Sequence, residues 1–280
     1  GMEGYMQAET PAISGPKPSV CHVGSPTCHD MFDGTAPLGD ERKGEVWYST
    51  NYYTQQAVAR IAEHNATDPF WLHLCYQGVH AGADPMPPAW ERVPVGSWRS
   101  QFYGSMLAVV DSGIKNTTAA LRSHGLWKNT VMLITADNGG DNIRQKGDNG
   151  TQCEGHGPDD YAGGNCGMSS NYPLLGRKSS PFEGGTRVAA LLVGGLIPAA
   201  LAGTDSTLLI HISDWYSTFS KLVGVVSTDA FTDNNGTVHD VDGIDVWGAL
   251  MQGRPTASVL RQRWLPTTDS SIIFDDMSDP

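Results

Sequence analysis

The chain has 280 residues, 39% of them hydrophobic, with 33 glycines, 17 prolines and a formal charge of -12 at neutral pH. Together with a mean hydropathy of -0.29, this composition describes a globular chain able to bury a core, with one large α/β domain as the default. The acidic balance excludes nonspecific binding to nucleic acid or anionic lipid, since both need a cationic face, so an anionic substrate would require a local basic cluster.

Residues 1–45 are rich in proline and glycine, lack periodicity and read as an irregular surface segment. No basic stretch followed by an apolar run opens the chain, so either it is cytosolic or it lacks its own beginning. Cys21 and Cys28 bracket a short loop, Cys153 and Cys166 bracket another, and Cys75 stands inside an apolar run. This pattern reads as two local disulfides and one buried thiol. Zinc held by Cys21, His22, Cys28 and His29 is the alternative, although adjacent ligands depart from finger spacing.

The first regular element is the helix in YSTNYYTQQAVARIAEHN, with Ser49 or Thr50 as cap and an end near Asn65 and Pro69. FWLHLCYQ reads as the first strand, closing at GVHAGADPMPP. A helix follows over 101–124, halted by Gly125, with Tyr103, Leu107, Val110, Ile114, Thr117 and Leu121 as its inner stripe. Asn116 lies about 140° from the centre of that stripe and should face solvent.

TVMLITAD is the second strand, a polar insertion occupies 139–171, and RVAALLVGG and LLIHIS are the third and fourth strands. Ser213 or Asp214 caps the helix WYSTFSKLVG, and IDVWGALMQG is a shorter helix stopped by Gly253. Strands alternating with helices imply a mainly parallel central sheet with helices on both faces. The apolar window from Val188 to Gly203 is too short and too interrupted to span a membrane. Four sequons, at Asn65, Asn116, Asn149 and Asn235, exceed the chance expectation for eleven asparagines and favour a secretory route, lysosomal or extracellular.

In an α/β sheet, ligands gather beyond the carboxyl ends of the strands. Asp137 and Asn138 stand at one such end and offer carboxylate and amide oxygens suited to calcium; Gly139 and Gly140 turn the backbone away. The same four residues are also good turn chemistry, and two oxygens do not make a calcium site, which takes six to eight. His80 ends the first strand, where a lone histidine is more often structural. Arg177, Lys178, Glu183 and Arg187 lie in LLGRKSSPFEGGTR, whose cations could grip an oxyanion or simply be solvated.

Six ordered blocks bear a more specific resemblance: YSTNYYTQQAVARIAEHN, FWLHLCYQGVH, GSMLAVVDSGIKNTTAALRSHGLWKNTVMLITADNGG, NYPLLGRKSSPFEGGTRVAALLVGG, ISDWYSTFSKLVG and DGIDVWGAL. Their succession resembles the type I sulfatases of the alkaline-phosphatase-like superfamily, arylsulfatase B-like enzymes in particular, over roughly residues 46–253. The resemblance implies an alkaline-phosphatase-like α/β fold and hydrolysis of a sulfate ester, with a sulfated glycan as the candidate substrate. It implies calcium bound by Asp137 and Asn138, a sulfate-binding role for Lys178, and assistance to the departing ester oxygen by His80. It also matches a cysteine-paired loop at Cys21/Cys28 and a glycosylated Asn116.

The sequence departs from the family at the nucleophile. Sulfatases make a formylglycine from a Cys/Ser-x-Pro-x-Arg motif that follows a paired Asp-Asp. No cysteine here has proline two residues on, and SGPKP at Ser14 lacks the arginine. The expectation is therefore the later part of a catalytic domain over 46–253, with 254–280 starting a truncated C-terminal region and the chain alone inactive. Two alternatives are a phosphodiesterase of the same superfold and a non-catalytic secreted glycan-binding protein.

Overall fold

The structure is a computed structural model, and it describes residues 32–33, 36–37, 48–80, 98–140, 169–227, 236, 238, 241–252, 263–264 and 273–274. The chain divides into two compact units, Gly1–Lys128 with Ala136–Val188, and Asn129–Thr135 with Ala189–Pro280.

In the first unit, α1 spans Ser49–Glu63 and α2 spans Trp98–Ser123. The N-cap of α1 is Tyr48, without a side-chain cap, because Ser49 and Thr50 lie inside the first turn and are buried. Both helices end about where sequence punctuation puts them, and Gly125 takes the positive φ of 74° that terminates α2. Thr117 and Leu121 are buried and Tyr103 packs against the core, as expected, but in the middle of α2 the inner face is shifted by about one residue: Met106 and Val109 are buried, whereas Leu107 is 52% exposed. Small residues decide this, since Ser105 and Gly113 let neighbouring groups approach where a larger residue would hold them off.

Tyr48, Met106 and Val109 form the core cluster, with Tyr103 and Val79 packed against it. Burial of side chains of this size contributes about 1.5–3 kcal/mol each. Val79 thereby anchors the end of the segment that carries His80. That segment, Phe70 to Gln77, forms no strand among the described residues, contrary to its β-like pattern. A strand exists only when a partner completes its ladder, which local pattern does not supply. Cys75 is likewise exposed rather than a buried thiol, with Sγ 3.3 Å from His73 Nε2. A two-residue pair, β1 (Phe32–Asp33) with β2 (Ala36–Pro37), is also antiparallel. Cys21, Cys28, Cys153 and Cys166 lie outside the described residues.

In the second unit, β3 (Met132–Thr135) pairs with β4 (Ala190–Val193), Thr135 opposite Ala190 and Met132 opposite Val193. The pair is antiparallel, as is β5 (Arg263–Trp264) with β6 (Ile273–Phe274), so the expected parallel pairing is not found among the described residues. The reason is the return path. The chain re-enters β4 opposite the end at which it left β3, whereas a parallel return needs a crossover to the far end. Gly194 takes φ 138°, and a Cβ there would overlap the Thr130 carbonyl.

LLIHIS does not form a strand; its end becomes α4 (Ile212–Leu222). The cap is His211 rather than Ser213 or Asp214: its ring nitrogen accepts from Ser213 N, and the Asp214 side chain returns to His211 N at 2.7 Å. Asp214 is wholly buried, and its second oxygen accepts from Ile244 N at 3.0 Å. Ser217 donates to Gly243 O at 2.8 Å, and Thr218 accepts from Val246 N at 3.0 Å. Three polar side chains of one helix face thus dock residues 243–246, which lead into α5 (Trp247–Gln252).

Candidate active site

Every residue of the candidate site belongs to the first unit. Asp137 is exposed, and its Oδ1 accepts the amide of Asn138 at 2.8 Å. Asn138 Nδ2 donates to Gly139 O at 2.9 Å, which leaves the amide oxygen as the remaining acceptor. Next, main chain packs directly on main chain. Gly139 N donates to Gly185 O at 2.9 Å, and a Cβ on Gly139 would overlap the Gly184 carbonyl. Only glycine permits this approach. Gly184 and Gly185 sit, buried, in a short helix, α3 (Glu183–Thr186), that local periodicity does not mark.

Gly140 connects to the cationic loop. Its carbonyl accepts from Lys178 N at 3.1 Å and from Asn171 Nδ2 at 2.8 Å, while its N–H donates to Asn171 Oδ1 at 2.8 Å. Asn171 Nδ2 also reaches Gly176 O at 3.3 Å. Lys178 in turn extends to His80, with Nζ 3.0 Å from Nε2 across 98 residues of sequence. An ammonium group only donates, so in this contact Nε2 accepts and the proton of the neutral imidazole sits on Nδ1.

His80 is held from behind. Its N–H donates to Gln77 O at 2.9 Å, and Gln77 Oε1 is buried with no partner among the described residues. Tyr76, four residues earlier, places its hydroxyl 2.8 Å from Thr54 Oγ1 of α1 and also bonds Thr117 of α2. Burial raises the Tyr76 hydroxyl above its ordinary value of 10.0, and its hydrogen bonds with Thr54 and Thr117 oppose that shift.

Of the expected residues, His80 and Lys178 are therefore brought into contact, and Asp137 and Asn138 precede the loop to which Lys178 is bonded. Glu183 and Arg187 instead form an exposed pair at 3.3 Å, one helical turn apart, which is a solvated surface interaction. Asn171 and Tyr76 were not singled out from sequence. Both act on atoms remote in the chain, and no local periodicity marks them.

The chain matches the Sulfatase family model over residues 20–225. It is 29% identical over 238 residues to arylsulfatase J of Mus musculus, covering 84% of this chain and 33% of that protein. It is 27% identical to N-acetylgalactosamine-6-sulfatase of Sus scrofa, covering 74% and 33% respectively. A solved structure described as Ps i-CgsB in complex with k-i-k-neocarrahexaose is similar at 24% identity and a TM-score of 0.56, over 79% of this chain and 41% of that one. The class is thus an alkaline-phosphatase-like α/β protein. The chain belongs to the sulfatase family. It spans about a third of the length of the curated relatives it matches.

The family is metal-dependent, and the donor chemistry at Asp137 and Asn138 is compatible with a hard cation. Two neighbouring side-chain oxygens are a partial set, and no group of three or more His, Cys, Asp or Glu suited to a metal occurs among the described residues.

Proposed function

We propose that the site belongs to a sulfuric ester hydrolase acting on a sulfated glycan. The single observation that carries this reading is the Lys178–His80 contact at 3.0 Å. An ammonium and an imidazole so close repel when both are charged, and an oxyanion between them removes the conflict. Lys178 binds a sulfate oxygen. His80, within reach of the same group, assists the departing alcohol oxygen by giving it a proton from the doubly protonated ring, in which Nε2–H faces the anion instead of accepting from Lys178. The backbone bond to Gln77 and the packing of Val79 fix the position of the segment that carries it. Asp137 and Asn138 would hold calcium, which supplies charge stabilisation to the sulfuryl oxygens when bound.

The sequence contains no Cys/Ser-x-Pro-x-Arg motif, so the chain by itself is expected to show no turnover of an aryl sulfate and weak calcium binding. The glycan assignment is supported by the relatives named for N-acetylgalactosamine-6-sulfatase activity and by the carbohydrate in the similar solved structure. A secretory route, to the lysosome or the exterior, is supported by Asn65 and Asn116, both exposed sequon asparagines. No helix among the described residues is long and apolar enough to cross a membrane.

Titration of the chain with inorganic sulfate tests the anion site. Lys178→Met is expected to lose about tenfold in affinity; equal binding by the variant would remove the basis of the assignment. The missing motif also favours a second reading, a non-catalytic glycan-binding protein, which an intact native mass close to 30.0 kDa would support.

A further inference from the structure

Asn171 makes three side-chain hydrogen bonds, all to main-chain atoms of two loops. Toward Gly140 it offers one acceptor and one donor, the same complement that a neighbouring strand presents to a residue in a ladder. The Gly140 carbonyl it holds is also the acceptor for Lys178 N. Gly140 admits this approach because it has no Cβ; one would overlap the Ser169 side chain and lie 3.1 Å from Asn171 Oδ1. Two residues before Gly140 stands Asn138, and three before stands Asp137.

We propose that Asn171 is a positioning residue: by holding Gly140 through both its N–H and its carbonyl, it sets the separation between the Asp137–Asn138 oxygen pair and the Lys178 ammonium. The clamp deepens the sulfatase reading and rests on it for its purpose, though not for its geometry. A plain packing role would need only the volume of the side chain. A positioning role needs one donor and one acceptor in this arrangement, and that difference is measurable.

The test uses the full 280-residue chain, with Asn171→Ala and Asn171→Asp as variants, inorganic sulfate as the titrant, and amide hydrogen exchange read at Gly140 and Lys178. Asn171→Ala should weaken sulfate binding about tenfold and speed exchange of those two amides by a similar factor, with α1 and α2 amides unchanged. Asn171→Asp should show the same deficit at neutral pH, because its carboxylate would face the Gly140 and Gly176 carbonyl oxygens. That deficit should close as pH falls, since a protonated carboxyl again carries one donor and one acceptor. Asp137, His80, Arg177 and Lys178 belong to the same cluster and are common to all three proteins, so each variant is compared with wild type at the same pH.

The proposal is overturned if exchange at Gly140 and Lys178 is unmoved in Asn171→Ala, or if the Asp deficit does not change with pH. If no protein binds sulfate while exchange shifts as described, the clamp stands and the sulfatase reading of the site fails. If all bind sulfate equally with exchange unmoved, the clamp fails and that reading survives.

Discussion

Two regions of this molecule use polar side chains to hold irregular backbone, and they treat charge in opposite ways. Around α4, the Asp214 carboxylate is wholly buried and both of its oxygens are bonded to main-chain N–H groups. In the cluster around Gly140, neutral Asn171 holds the backbone while the ionisable groups, Asp137 and His80, are exposed. A charge enclosed by donors is committed to the fold, because a ligand would have to displace hydrogen bonds the interior cannot replace. A charge carried by a loop that neutral groups have already fixed stays available for chemistry. The difference separates a structural acid from a candidate metal ligand where composition alone would rank them equally.

Removing the buried acid should have the largest effect. Asp214→Ala leaves the His211 and Ile244 N–H groups without this acceptor and is expected to cost about 3 kcal/mol in denaturant unfolding, with sulfate binding intact. If sulfate affinity fell as well, the two regions would not be independent and the contrast would break. Next comes Gly139→Ala, whose methyl would press on the Gly184 carbonyl. A loss of about 2 kcal/mol is expected, here together with weakened sulfate binding, measured by the same unfolding and titration experiments.

His80→Ala should leave stability nearly unchanged while lowering sulfate affinity a fewfold, less than the effect at Lys178, since the imidazole is exposed and its contact is to the ammonium. An unfolding midpoint displaced as far as that of Asp214→Ala would show the histidine to be structural. The smallest effect is expected at Tyr76→Phe, about 1 kcal/mol from the lost bonds to Thr54 and Thr117. The same hydroxyl gives a pH signature. Its folded value is raised, so the neutral form is favoured in the folded state; stability is fully present below pH 10.0 and falls as pH rises beyond it. Phenylalanine at this position should remove that part of the alkaline loss.

Much of the candidate site is legible in the sequence. An acid and an amide at the end of an apolar run, and a cation among glycines, are local patterns, and so are the helices α1, α2, α4 and α5, whose periodicity and terminators lie within a few residues. The two segments wrongly read as strands, Phe70 to Gln77 and Leu208 to Ser213, share a different property. Their apolar, β-branched or aromatic composition is compatible with a ladder, but a ladder is made by another segment, and none supplies one among the described residues. The one-residue shift of the α2 face has the same origin, because which stripe is inside depends on what the helix packs against.

Residue chemistry by itself thus determined which groups this protein has available: hard oxygens at Asp137 and Asn138, an imidazole at His80, an ammonium at Lys178, each on a segment whose local propensity is plain. Only the tertiary structure decided that the last two meet at 3.0 Å across 98 residues, that β3 and β4 run antiparallel, and that Asn171 reaches back 31 residues to Gly140. Propensity and capping act through neighbours in the chain, whereas hydrogen bonds between distant loops form only after packing has brought those loops within about 3 Å of each other.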